Sequence, residues 1–256
     1  MKKPLLLVLL TLFVFVSVSD AKHRRPRPKP SGTVSIPCSA TIKKIEDCDA
    51  QFPAGCSNER EFDPNLNKRK NIRSSNQPVE DWDFSRVAAL DDPVQGFAEG
   101  DTREKLADLG EGTKIRIVAF AVDVRRGSKE SCNCGLRKVR DTDNHIVLID
   151  PADGSPSLAD EKKSLTAEFT PRVRINHHPN LSRRKLRPLI LKASHKALKV
   201  RVTGLLMFDS FHSLNAPLAK GRKNNWEVHP VLKLEYCPKF KHCEAGSNAN
   251  WKNLEH

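Results

Sequence analysis

The sequence predicts a mainly β domain of five strands, with one short helix between the third and fourth and an irregular extension in front. Three observations lead there. Leu165 to Ile175 alternates, with Leu165, Ala167, Phe169, Val173 and Ile175 on one side and Thr166, Glu168, Thr170, Arg172 and Arg174 on the other. Trp226 to Tyr236 alternates too: Trp226, Val228, Leu232, Leu234 and Tyr236 share one phase, and Glu227, His229, Lys233 and Glu235 the other. Between the apolar runs stand strong turn formers, Asp150-Pro151 and Asp153-Gly154. Successive strand side chains point to opposite faces, so alternation of this kind gives one buried and one polar face.

Taken in order, Lys2 and Lys3 precede an apolar run from Leu5 to Val18, and Ser19-Asp20-Ala21 offers small residues where a signal peptidase reads. Residues 1–21 are expected to be a cleaved signal peptide, since the run is shorter than the roughly 20 residues of a spanning helix. The expected location is outside the cytosol, periplasmic or secreted, with no transmembrane segment left after cleavage. Residues 22–34 are basic and proline-rich, the composition of an extended linker or a polybasic arm. Residues 35–110 read as a cysteine-containing extension with short helices. Trp82, Phe84, Val87 and Leu90 have helix-like spacing; Asp101 to Glu104 reads as a capping box ahead of Leu106 and Leu109, with Gly110 as terminator.

The β domain is expected over 111–238 and a C-terminal tail over 239–256. Its first strand, Ile115 to Val124, changes phase near Ile117-Val118, as a bulged strand does. Arg125 to Asp143 follows as a polar loop, then His145 to Ile149 as the second strand and Leu165 to Ile175 as the third. Asn180 to Ser194 has helix character that Pro188 limits. The fourth strand, Leu198 to Phe208, bends at Gly204, and Pro230 in the fifth predicts an edge or a break in pairing.

This element order resembles the OB-fold, a five-stranded Greek-key barrel with a helix between strands three and four. An SH3-like barrel or a small sandwich would use the same elements. The phrases DNHIVLID, AEFTPRVR and WEVHPV are also similar to a group of exported bacterial proteins to which no activity is attached. The resemblance to OB-folds implies a ligand face across strands two and three, flanked by the loops joining strands one to two and four to five. On this sequence those regions carry Arg125, Arg126, Arg137, Lys138, Arg140, Arg172, Arg174, Lys220, Arg222 and Lys223.

The chain's 256 residues carry a formal net charge of +13, which favours polyanionic partners and says nothing of fold. Against dedicated single-strand capture stands the lack of aromatics on the polar strand faces, because such binders stack bases on rings. The favoured expectation is a non-enzymatic exported module for an anionic polymer, nucleic acid or acidic glycan, or for an envelope protein. The alternative is a metal-dependent phosphodiesterase built on Glu168, Arg172, His145 and His229, with a carboxylate as base or metal ligand and an arginine facing the developing charge. No cofactor is expected, and a divalent metal only under that alternative. No metal ligand set is assigned: Asp141-x-Asp143-x-His145 lacks a further partner, and adjacent His177-His178 point apart if extended. The plainer reading of Glu168 and Arg172 is a solvated face, and of His145 and His229 local hydrogen bonding. The seven cysteines, Cys38, Cys48, Cys56, Cys132, Cys134, Cys237 and Cys243, lack zinc-knuckle spacing and suit disulfides in an oxidising compartment, with one left over.

Overall fold

The computed structural model describes residues 42–52, 55–56, 76–91, 104–209, 221–239 and 241–255. The expected signal peptide and linker, Cys38, the Asp101 cap, His212 and Lys220 lie outside the described residues.

Ahead of the barrel come helix α1 (Ile45–Gln51), the two-residue strand β1 (Glu80–Asp81) and the short helices α2 (Phe84–Ala88) and α3 (Glu104–Asp108). The barrel strands are β2 (Lys114–Arg126), β3 (Asn144–Ile149), β4 (Leu165–Phe169), then, after helices α4 (Pro171–Asn176) and α5 (Arg183–Lys192), β5 (Leu198–Phe208) and β6 (Trp226–Tyr236). Strands β2, β3, β4, β6 and β5 pair in that order, and β5 pairs back with β2 to close a five-stranded barrel. The fold is thus the mainly β barrel expected from the sequence, with its short helix between the third and fourth barrel strands. A last strand, β7 (Lys252–Asn253), pairs with β6, so the expected tail adds to the sheet and sends Leu254 into the core.

The apolar phase of each strand fills the barrel. Ile115, Ile117, Ile146, Leu148, Phe169 and Trp226 are all at or below 1% exposure and belong to one continuous cluster. Removing side chains of this size from water contributes about 1.5–3 kcal/mol each. Trp82, Phe84, Val87 and Leu106 bring the extension into the same cluster.

Three local expectations are corrected. The third strand ends at Phe169, not Ile175: the Thr170 side chain accepts a hydrogen bond from Val173 N, and Pro171 opens α4. Proline has no N–H to give a ladder, and its fixed φ suits the first helical turn, where that N–H would be idle. The alternation continuing through Arg172 and Arg174 is therefore a coincidence of period across a strand–helix junction. The irregularity in β2 lies between Ala121 and Asp123, not at Ile117-Val118, and pairing extends through Arg125 and Arg126, which are strand residues and not loop. Pro230 breaks pairing as expected, with register shifts on either side of Gly204. A Cβ on Gly204 would lie 2.4 Å from the Pro230 carbonyl oxygen and 2.5 Å from Val228 Cγ1, so the close approach of β5 to β6 requires glycine.

Two disulfides are described, Cys48–Cys134 and Cys237–Cys243. Cys56 is also disulfide-bonded, to a residue outside those described. Cys132 is a buried thiol lying 3.2 Å from Glu130 Oε2.

Candidate functional site

Because Ile146, Leu148, Ala167, Phe169, Trp226 and Val228 point into the barrel, strand alternation sends His145, Glu168, Glu227 and His229 to its outer face. Register brings them together. His145 is opposite Glu168 in the antiparallel β3–β4 pair, and β4 runs parallel to β6 with Thr166 beside Glu227 and Ala167 beside Val228. Oε2 of Glu168 lies 2.9 Å from His229 Nδ1, and its Oε1 lies 3.3 Å from His145 Nε2. Glu227 joins from two residues before His229, with Oε1 3.6 Å from the same Nδ1.

This outer face is not open to water. Glu168, Glu227 and His229 are at most 2% exposed, and so is Asp143, which leads into β3. The segment between β2 and β3 folds across the face. Its Asn133 donates to Asp143 Oδ1 at 3.3 Å, and its Glu130 carboxylate lies 3.7 Å from His145. The Cys48–Cys134 bond fastens the segment to α1. From the other side, Arg222 reaches Asp209 at 3.0 Å and Glu227 at 3.6 Å. The expectation of a solvated Glu168 face is overturned: the covering segment excludes water from it.

The charge of Glu168, working against burial and helped by Glu130 and Asp143, raises His145 to a pKa of about 10. His145 is thus a cation at neutral pH; its ring is 34% exposed, although the Nε2 that faces Glu168 is buried. A buried carboxylate between two imidazoles can hold a proton, orient an imidazole or bind a cation.

Arg172 does not serve Glu168 as its arginine partner. It sits on α4 and spends its donors on Asp49 (2.7 Å), on Asn133 Oδ1 (2.8 Å) and on the Cys132 carbonyl (2.8 Å). Its role is to clamp the covering segment. Arg174, also on α4, donates to the carbonyl oxygens of Val139, Arg140 and Thr142. Burial lowers its pKa, against the opposing pull of Asp143 and Asp141.

The basic residues expected to meet an anion divide into three groups. Arg125 is paired with Asp123 and Glu161, Arg140 with Glu46, and Arg222 with Asp209 and Glu227; together with Arg172 they hold the fold. Arg137, Lys138 and Lys223 are exposed. Arg126 and Arg174 instead line a groove of about 460 Å³ with Arg183, Arg184, Arg187 and Lys192 of α5. Among the described residues, no carboxylate lines it and none of the six cations is ion-paired. The floor is apolar in part, from Val139 and Leu191, which are 60% and 47% exposed. The α5 cations were not singled out from the sequence, although Arg183/Arg187 and Arg184/Pro188 stand four apart, the spacing of one helix face.

Sequence reasoning also left Asp143 without partners, having placed it with Asp141 and His145. Asp141 is buried apart, beside Arg140, whereas Asp143 groups with Glu168 and His229. No helix among the described residues is long and apolar enough to cross a membrane. No family model, no curated protein and no solved structure matches the chain.

Proposed function

We propose that the protein is an exported binding module for an anionic polymer, held at the groove between α5 and the start of β3. The observation that carries this reading is the lining: five exposed cationic side chains beside the buried Arg174, no carboxylate among the described residues, and an apolar strip. Arg125, Arg140, Arg172 and Arg222 are paired with acids, whereas the five exposed cations of the groove face outward together, the arrangement that releases counterions from a polyanion. No aromatic residue lines the groove, so recognition rests on charge spacing and not on base stacking. Export follows from Met1 to Ala21 as read above. The test is retention of the purified protein on heparin and on duplex DNA at low salt. Elution by salt, unaffected by a chelator, is the expected result; passage through both columns at 50 mM salt would sink the reading.

A second reading, metal-dependent phosphodiester hydrolysis, is favoured by one observation, the meeting of Glu168 with His145 and His229. It predicts turnover that Glu168→Gln abolishes in protein that circular dichroism shows to be folded. Absence of product from nucleic acid or simple phosphodiesters with Mg²⁺, Ca²⁺, Mn²⁺ or Zn²⁺ removes its support.

A further inference from the structure

We infer that Asp143, Glu168 and His229 form a binding site for a first-row divalent cation, with Zn²⁺ or Mn²⁺ the fitting ions. The inference does not depend on the groove reading; hydrolysis would require this site, but the site does not require hydrolysis.

The ligands come from three places, the entry to β3, the end of β4 and the first half of β6. One donor atom from each lies within 4.8 Å of the other two. Metal bonds of about 2.0–2.2 Å put the ligands of a tetrahedral ion about 3.4 Å apart and trans octahedral ligands about 4.4 Å apart, so side-chain adjustment from within the 4.8 Å bound would let the three share one ion. All three side chains are buried, at 1–2% exposure. A divalent ion among them would add to the positive charge that His145 and Arg174 already set against these carboxylates.

The surroundings meet the further demands of a metal site. Asn133 donates to Asp143 and fixes its carboxylate. The Arg222 guanidinium stands beside Glu227, which leaves Glu168 as the carboxylate nearest His229 Nδ1. His145, 3.3 Å from Glu168 and partly exposed, marks the way in from solvent. Three protein donors leave at least one position for water or an anion. One imidazole nitrogen with two carboxylates and no thiolate suits Zn²⁺ or Mn²⁺ better than Mg²⁺, which keeps most of its waters.

The experiment is calorimetric titration of the metal-stripped full chain with Zn²⁺ alone. One ion per chain is expected at this site. Glu168→Gln, Asp143→Asn and His229→Gln, which preserve volume, should each weaken it by at least about 100-fold, while His177→Gln/His178→Gln leaves it unchanged. Folded variants that bind Zn²⁺ as the wild type does would overturn the inference. Should those variants fail to fold, the wild type decides: Mn²⁺ added to protein labelled in its histidine rings should broaden the His145 and His229 signals before those of exposed His195 and His242. Broadening confined to the exposed histidines refutes the site.

Discussion

The groove makes a quantitative demand on salt dependence. If the five exposed cations of the groove engage phosphates of duplex DNA, log K falls against log salt with a slope of about −4.5, taking about −0.9 per contact; the buried Arg174 is spent on carbonyl oxygens and is left out. Raising salt from 50 to 200 mM then costs about 500-fold in affinity. Arg184, Arg187 and Lys192 are the right residues to remove, because they are exposed and make no ion pair among the described residues. Arg183 is less suitable, since its Nε donates to the Val124 carbonyl at 3.2 Å. The triple variant Arg184→Gln/Arg187→Gln/Lys192→Gln should bring the slope to about −2, and cut the loss over the same salt range to about 10-fold. Arg140→Gln, which removes a cation already paired with Glu46 at 2.7 Å, should leave the slope where it was. The assay is fluorescence anisotropy with a labelled duplex at four or five salt concentrations. A triple variant with the wild-type slope would place the contacts elsewhere, and the reasoning from the groove would fail.

Other consequences concern the frame around the sites. The Cys48–Cys134 bond closes a loop across a sequence separation of 86, worth about 4.6 kcal/mol on a chain-entropy account; Cys48→Ala/Cys134→Ala should lower the melting temperature by about 10 °C and speed amide exchange in residues 128–138. Glu235 is pushed up by burial and pulled further down by its bonds to Arg201 and Lys233, so its pKa in the fold lies below the usual 4.5. Its stabilisation is therefore complete above pH 4.5 and lost as pH falls through the lowered value, a dependence that acid titration of Glu235→Gln should lack. Glu235→Ala, which leaves the buried Arg201 without its carboxylate at 2.8 Å, should cost about 3 kcal/mol by urea unfolding. Gly204→Ala forces the β5–β6 approach apart and should cost at least about 2 kcal/mol in the same measurement.

The barrel was legible because its signals are local. Leu165, Ala167 and Phe169, or Trp226 and Val228, announce a strand whatever surrounds them. The limit of that legibility is visible within one phrase, Leu165 to Ile175. Period two runs on through Arg172 and Arg174, and only the chemistry of Thr170-Pro171, a cap followed by a first-turn proline, marks the change to helix. His145, Glu168, Glu227 and His229, which meet, all belong to polar phases visible in the sequence, whereas Arg172, grouped with them there, is drawn away to Asp49 and Asn133. The burial of those four was not visible, because it depends on the segment from 127 to 143 crossing the face, held by the Cys48–Cys134 bond and by Arg172 contacts to Asp49, 123 residues away in the chain. No window of sequence contains that information. The same holds for Asp143, whose neighbours in sequence are not its neighbours in space.

That covering segment explains why the basic residues fall into separate sets. An OB-like barrel ordinarily offers the outer face of its second and third strands to ligands. Here the face carries a buried acid–imidazole cluster, and Arg172 and Arg174 hold the cover down from α4 through Asp49, Asn133 and the carbonyls of 139–142. Cations used in this way are not available to a ligand. Unpaired cations gather one helix further on, along α5, and that is where an anion finds several of them together. The division separates the two sites in experiment as well: Arg184 and Arg187 can be changed without touching Glu168, and Glu168→Gln leaves the α5 cations in place. Polyanion binding that survives Glu168→Gln, together with metal binding that survives Arg184→Gln/Arg187→Gln, is the pattern this architecture requires. Loss of both functions in either variant would mean that the cluster and the groove are one site.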